Sequence, residues 1–160
     1  MAISVSKDLI APFVDAVSNV FNTMIDIQIE KQGAYLLEEH KVQYDVSGVM
    51  GITGKLSGTI AVSFPKKLSC QVVSALLGEK LETFDETVVD GIGEVVNMIS
   101  GDAKRLFENN GMGFEISLPA VVVGSNHKIS SKSNVPHVLI VFQTGDGDEF
   151  AVQLALQVEY

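Results

Sequence analysis

The sequence predicts an α+β fold in which helices pack on a largely antiparallel sheet. Two observations support this prediction: three segments repeat apolar residues at helical spacing, and six segments have the composition of strands. A third is the pair of short glycine turns, Thr53-Gly54-Lys55 and Gly145-Asp146-Gly147, each of which lies between two extended segments. Such turns favour antiparallel hairpins.

The three predicted helices span residues 6–24, 66–77 and 85–109. In each, apolar side chains recur every three or four positions, which is typical of a helix with one buried face. The second helix begins after Pro65 and ends before Gly78. These positions suit the fixed backbone angle of proline and the permissive backbone of glycine.

The six predicted strands span residues 25–37, 41–52, 56–64, 114–123, 135–142 and 150–158. Residues 124–134 are polar and rich in Ser and Asn, which indicates a loop. The element order is therefore α-β-β-β-α-α-β-β-β, and we expect residues 1–160 to form one domain.

This order suggests two pseudo-duplicated αβββ units. Residues 15–22 align with residues 90–97, with the same residue type at both ends and a valine at the same place between them. The hairpin turns at Thr53 and Thr144 also match, provided that the second unit has a longer loop between its helix and its hairpin. We therefore expect the two halves of the chain to share one architecture.

The composition excludes several classes of protein. With 46% hydrophobic and 19% charged residues among 160, the chain can bury a core and is not disordered. A net charge of −9 argues against binding nucleic acid or an anionic membrane surface. The single Cys70, which we expect to be buried, excludes an intrachain disulfide framework. Without a signal peptide or an apolar run of membrane-spanning length, the prediction is a cytoplasmic protein.

The third helix contains the most informative local pattern, Asp90-Gly-Ile-Gly-Glu94-Val-Val-Asn97-Met-Ile-Ser-Gly101. On a helical wheel, Glu94 and Asn97 are neighbours one turn apart, opposite a broad apolar face, and Asp90 and Gly101 lie beside them. The glycines at positions 91, 93 and 101 each cost a helix roughly 1 kcal/mol relative to alanine. Either a partner docks closely along this face or the glycines permit tight packing inside the protein.

Each of these motifs can also be explained by chance or by an ordinary structural role. A Glu-x-x-Asn pair occurs easily by chance, and an exposed helix face is most often simply solvated. The segment from Gly48 to Lys55 has neither the spacing nor the Ser/Thr of a phosphate-binding loop. His40, His127 and His137 are scattered without metal-ligand spacing, so we expect this chain to bind no metal or cofactor itself.

The element order and the pattern Asp90, Glu94-x-x-Asn97, Gly101 together resemble the CheC/CheX phosphatases of bacterial chemotaxis-type signalling, from residue 6 to the final strand. The single intact motif and the chain length resemble the CheX branch in particular. This resemblance implies a CheC-like fold and an enzyme that removes the phosphoryl group from an aspartate of a CheY-like receiver domain. It also implies that Asn97 orients the attacking water and that Glu94 docks to the receiver's lysine.

The same resemblance implies the partners of the protein. Asp90, Gly93 and Gly101 are expected at the surface that meets the receiver, and the Mg²⁺ of the reaction is expected on the receiver. A homodimer formed through a sheet edge is expected as well, because pairing would cover an otherwise exposed edge.

The first helix departs from the family motif. Asn19 and Asn22 stand where Glu94 and Asn97 stand in the third helix, so the acid is missing and one active site per chain is expected. Two alternatives remain open. In one, the chain is a non-catalytic receiver-binding or motor-switch-type module, in which the motif only contacts a partner. In the other, it is a small-molecule-binding α+β domain with a deep apolar pocket away from Asn97.

Overall fold

One antiparallel sheet organises residues 7–36, 44–130 and 135–159, which are the residues described by a computed structural model. Its seven strands are β1 (Ile29–Leu36), β2 (Val46–Gly54), β3 (Leu56–Phe64), β4 (Phe114–Ile116), β5 (Ala120–Val123), β6 (His137–Thr144) and β7 (Glu149–Val158). The helices in these ranges are α1 (Lys7–Val20), continued by a π-helical turn (Phe21–Ile25), α2 (Lys66–Leu77) and α3 (Glu86–Asn109). The predicted α+β fold with an antiparallel sheet is confirmed.

The strand order is β1-β6-β7-β3-β2-β4. β5 also pairs directly with β2, on the same side of β2 as β4. β4 pairs with the end of β2, and β5 pairs with its beginning. Exchanging β1 with β4 and β5, β2 with β6, and β3 with β7 leaves this order unchanged. Such symmetry is expected of two related units, although the duplication itself stays a prediction.

All three helices cover the same face of the sheet. Successive side chains of a strand point to opposite faces, and on β2, β3, β6 and β7 the even-numbered apolar residues join the helices in the main core. At its centre the ring of Phe150 stacks on those of Phe21, Phe64 and Phe142, with centroids 4.8, 5.1 and 5.2 Å away. Odd-numbered residues of β6 and β7 form a smaller cluster on the other face.

Helix α3 has well-defined ends, which fixes the register of its motif. The carboxylate of Asp85 accepts hydrogen bonds from the backbone N–H groups of Thr87 and Val88 at 3.0 and 3.3 Å, as a capping residue does. After Asn110 the chain turns at Gly111, whose φ of +75° is readily adopted by glycine. None of the helices in the described ranges is long and apolar enough to cross a membrane.

Several predicted strand bounds differ from the structure. β2 begins at Val46 and runs to Gly54 instead of ending at Ile52, and β6 spans His137–Thr144 instead of 135–142.

Two other strands differ more. The predicted strand 114–123 is divided into β4 and β5, because Ser117 bonds to Gly51 and Pro119 has no N–H to offer a ladder. The predicted strand 25–37 begins only at Ile29, because the helix runs on to Ile25 and Asp26 then adopts a left-handed conformation.

Cys70 also differs from its prediction, because it is only partly buried on α2 rather than fully inside the core. Desolvation is the main cause that raises the pKa of its thiol. Some predictions fall outside the described residues: the helix start at Ser6, the end of the first strand at residue 37, residues 41–43 of the second strand, His40, and residues 131–134 of the loop.

Candidate functional site

The polar residues of the α3 motif lie along one exposed line of the helix. Asp90, Glu94, Asn97 and Gly101 fall within an arc of about 60° at the ordinary helical rotation per residue. Asp90 and Glu94 are exposed, and Asn97 and Gly101 are partly exposed. We call these four residues the α3 stripe. The opposite side of α3 is buried, as the sequence predicts.

The side chains of the α3 stripe are not engaged by the described remainder of the chain. Within the described ranges, the side chains of Asp90, Glu94 and Asn97 form no hydrogen bond or ion pair with another residue. By contrast, Asp102 and Lys104, just beyond the stripe, are both in ion pairs. The acid and the amide are therefore available to a partner.

The three glycines of the motif have different surroundings. A Cβ at Gly91 would lie 2.4 Å from Cγ1 of Val73, so this glycine permits α2 to pack closely on α3. A Cβ at Gly93, which is buried, would lie 3.4 Å from Cγ2 of Val121 on β5. A Cβ at Gly101 would meet nothing within 4 Å. Tight internal packing therefore explains Gly91, whereas the backbone of Gly101 is open to an approaching partner.

The sheet fixes which side of α3 faces outward. A Cβ at Gly48 on β2 would lie 2.9 Å from Cγ1 of Val96 and 3.0 Å from the carbonyl oxygen of Ile92. The backbone of β2 at Gly48 therefore lies close to the backbone of α3, and a side chain at this position would push the helix away from the sheet. Sequence reasoning considered Gly48 only as part of a weak phosphate-loop pattern and missed this role. The signal was present as a glycine inside a strand, which often marks close backbone approach.

Charged contacts flank the α3 stripe on both sides. On the α1 side, Nδ2 of Asn19 donates to Oδ2 of Asp102 at 2.9 Å, and Arg105 donates to Oδ1 of the same carboxylate at 2.9 and 3.3 Å. On the β4 side, Nζ of Lys104 donates to Oε2 of Glu115 at 3.2 Å. The sequence did not predict these pairs. Those of Asn19 with Asp102 and of Lys104 with Glu115 depend on the packing of different elements, whereas Arg105 and Asp102 lie three residues apart within α3.

The geometry is that of a protein that meets a partner at a helix face. The acid and the amide project from an exposed helix instead of lining a cavity. Among the described residues, no three His, Cys, Asp or Glu side chains come together as a metal-binding group. The site therefore offers an unpaired carboxylate, an amide and an open glycine backbone to another macromolecule.

Comparison with known proteins identifies the class. The family model of the chemotaxis phosphatase CheX matches residues 46–143. A protein from Thermotoga maritima described as a CheY-P phosphatase CheX is 33% identical over 119 residues, which cover 72% of this chain and 77% of the relative.

Two solved structures extend the likeness to nearly the whole chain. A CheC-like superfamily protein from a Shewanella species is 32% identical with a TM-score of 0.87, covering 96% of this chain and 99% of that one. A chain of the CheX-CheY-BeF3-Mg²⁺ complex from Borrelia burgdorferi is 30% identical with a TM-score of 0.80, covering 92% of this chain and 97% of that one. The chain belongs to the CheX family of chemotaxis phosphatases. The predicted family and the CheC-like fold are confirmed.

Proposed function

We propose that this protein is a phosphatase that removes the phosphoryl group from the aspartyl phosphate of a CheY-like receiver domain. Family membership supports the reaction, since the Thermotoga relative is described as a CheY-P phosphatase. The Borrelia structure, a complex of CheX with CheY, supports the partner. The observation that carries the proposal is the pair of Glu94, which is exposed, and Asn97, which is partly exposed, on one turn of α3; neither side chain is paired within the described chain.

Asn97 is proposed to hold the attacking water. A carboxamide carries both a donor and an acceptor, so it can orient a water molecule in line with the phosphorus atom. It is also neutral, and it therefore adds no negative charge beside the phosphoryl oxygens. Phosphoryl transfer depends mainly on positioning and charge neutralisation. Ordering one water therefore suffices for this chain's part in the reaction, and no nucleophile or general base of its own is required.

Glu94 is proposed to dock to the receiver's active-site lysine. Residues three apart on a helix are neighbours, so one approach of α3 brings the acid to the lysine and the amide to the phosphoryl group. The pair gains strength as the partner excludes water from it. The Mg²⁺ of the reaction is proposed to belong to the receiver, and this chain is proposed to bind no cofactor. Asp90 and Gly101 are proposed to lie at the same interface, and the buried Gly93 is proposed to lie directly beneath it.

A homodimer formed through a sheet edge is also proposed. Among the described strands the sheet has two edges, β1 on one side and β4 with β5 on the other. Each edge has backbone groups that pairing with a second copy would satisfy. Light scattering at several protein concentrations gives the mass, and a monomer at all of them contradicts this part of the proposal.

The test is the decay of a phosphorylated CheY receiver, followed as phosphate release. We expect the wild-type protein at substoichiometric concentration to accelerate the decay, and Asn97→Ala to abolish the acceleration while the protein stays folded. Asn109→Ala, at the exposed end of α3, is the matched control and should behave as wild type. An unchanged decay with the wild-type protein rejects the enzyme. Binding of the receiver without acceleration supports the interaction module instead.

A further inference from the structure

Leu118 is the most exposed large apolar side chain among the described residues. It is 90% exposed, whereas the next, Met24, is 54% exposed. It lies in the break between β4 and β5, a segment that consists of Ser117, Leu118 and Pro119. A single exposed leucine is ordinary on a protein surface. Leu118 differs from an ordinary one in how it is held and in what lies beside it.

The backbone directly before Leu118 is fastened to the sheet. The N–H of Ser117 donates to the carbonyl oxygen of Gly51 at 3.0 Å, and the N–H of Gly51 donates back to Oγ of Ser117 at 2.8 Å. The hydroxyl of Ser117 in turn donates to the carbonyl oxygen of Leu118 at 3.1 Å. The side chain of Leu118 therefore projects into solvent from a segment that hydrogen bonds already hold in place. Little conformational entropy is lost when a partner buries this side chain.

Two contacts place Leu118 next to the α3 stripe. At one end of the segment, Cβ and Cγ of Pro119 lie 3.9 Å from the position of a Cβ at Gly93. At the other end, Glu115 bonds to Lys104, about three helical turns further along α3. The edge segment thus runs antiparallel to α3 between these two points. Leu118 comes directly before Pro119, which places it at the level of Glu94 and Asn97.

We infer that Leu118 is the apolar contact through which this chain engages the receiver beside the α3 stripe, an inference that rests on the proposed function. The stripe contains two carboxylates, and the chain has a net charge of −9. The phosphorylation site of a receiver is acidic too, so long-range attraction does not bring the two proteins together. The free energy gained by burying apolar surface does not depend on charge, and Leu118 provides such surface at the rim of the proposed site.

The experiment compares Leu118→Asp with a matched control, Leu36→Asp. Leu36 is 46% exposed at the end of β1, on the opposite edge of the sheet. We expect Leu118→Asp to raise the half-saturating receiver concentration about tenfold, as the loss of one buried leucine predicts, while the turnover rate at saturation changes less than about twofold. The affinity for beryllofluoride-loaded CheY should fall by the same factor. The control should leave both quantities at their wild-type values.

The outcomes separate this inference from the proposed function. If the wild-type protein accelerates decay and Leu118→Asp keeps its half-saturation and affinity, Leu118 is not a receiver contact and only this inference fails. If the wild-type protein does not accelerate decay, the enzyme fails, but a loss of affinity for beryllofluoride-loaded CheY in Leu118→Asp still supports the contact. An equal loss in the control would show a general effect of added charge and overturn the inference.

A second copy of the chain is the competing occupant. Val122 and Val123 on β5 are also exposed, at 37% and 48%, so this edge could pair with its equivalent in a dimer. Light scattering on the same variants decides between the two. A dimer that dissociates in Leu118→Asp, with receiver affinity per chain unchanged, assigns Leu118 to the interface between copies and overturns the inference. An unchanged mass together with weakened receiver binding supports it.

Discussion

Helices α1 and α3 are matched by the sequence alignment of residues 15–22 with residues 90–97, yet their polar faces are used differently. On α3, Glu94 and Asn97 project from a regular helix and bond to nothing in the described residues. On α1, the corresponding Asn19 donates to Asp102 of α3. The corresponding Asn22 lies in the π-helical turn, where the backbone no longer has α-helical spacing.

This difference separates a polar face that holds the fold together from one that is open to a partner. The side-chain amide of Asn19 joins the two helices, and the backbone carbonyl oxygen of the same residue accepts a hydrogen bond from the hydroxyl of Thr23 at 2.6 Å. A residue that holds its neighbours cannot also be free for a partner. The α3 face keeps its acid and amide free because its packing contacts, Gly91 to α2 and Gly48 to the sheet, lie on other sides of the helix.

The largest expected effect is that of an added charge at the amide position. Asn97→Asp keeps the size of the side chain but places a carboxylate beside the phosphoryl group, where it repels the phosphoryl oxygens and lacks the amide's donor. We expect the rate at saturating receiver to fall roughly 100-fold or more. Asn22→Asp, the equivalent change on α1, should leave the rate unchanged. An equal loss in both variants would show that both faces contribute to the reaction.

The next effect concerns stability. Position 91 of α3 corresponds to Ala16 of α1, yet a Cβ at Gly91 would lie 2.4 Å from Cγ1 of Val73. Gly91→Ala should therefore reduce the free energy of unfolding by about 1–3 kcal/mol through overpacking, although alanine favours a helix. Urea denaturation measures the change. A variant as stable as the wild type would mean that α2 moves away without cost.

Gly101→Ala should separate stability from activity. Nothing lies within 4 Å of its Cβ position, so we expect the free energy of unfolding to rise by up to about 1 kcal/mol through helix propensity alone. If the receiver approaches this backbone, the added methyl group should raise the half-saturating receiver concentration several-fold at the same time. Thermal denaturation and the phosphate-release assay on one preparation test both. Unchanged half-saturation would remove Gly101 from the interface.

The smallest effect is expected at Asn19. Asn19→Ala removes a 2.9 Å hydrogen bond to Asp102, which retains its pairing with Arg105. The bond is exposed, so its loss should lower the free energy of unfolding by only about 0.5–1 kcal/mol. The phosphatase rate should stay at the wild-type value. A large loss of rate would contradict the structural role of the α1 face.

Local signals in the sequence were sufficient to predict the bounds of elements whose first and last residues are marked by proline or glycine. α2 and β3 match their predicted bounds, since Pro65, Gly78 and the turn at Gly54 mark where they begin and end. The exposed line of α3 was predictable too, because helical periodicity alone separates Glu94 and Asn97 from the apolar face.

Features that depend on packing between distant segments were not predictable. The break between β4 and β5 depends on the bonds of Ser117 to Gly51, which lie 66 residues apart. The link between Asn19 and Asp102 spans 83 residues. The start of β1 depends on a π-helical turn whose Phe21 stacks in the core. In each case the deciding partner is brought near only by the fold.

The exchange of edge strands between the two halves has a consequence for how the protein folds. β1 comes from the first half, but it pairs with β6 of the second half. Leu36, for example, can pair only after Val138 has been synthesised. In the same way, β4 and β5 pair with β2 of the other half. Neither half can complete its own sheet, and during synthesis the first half emerges with an edge that has no strand to pair with. Folding must therefore be cooperative across the chain and dominated by long-range contacts, which slows it and makes the halves interdependent.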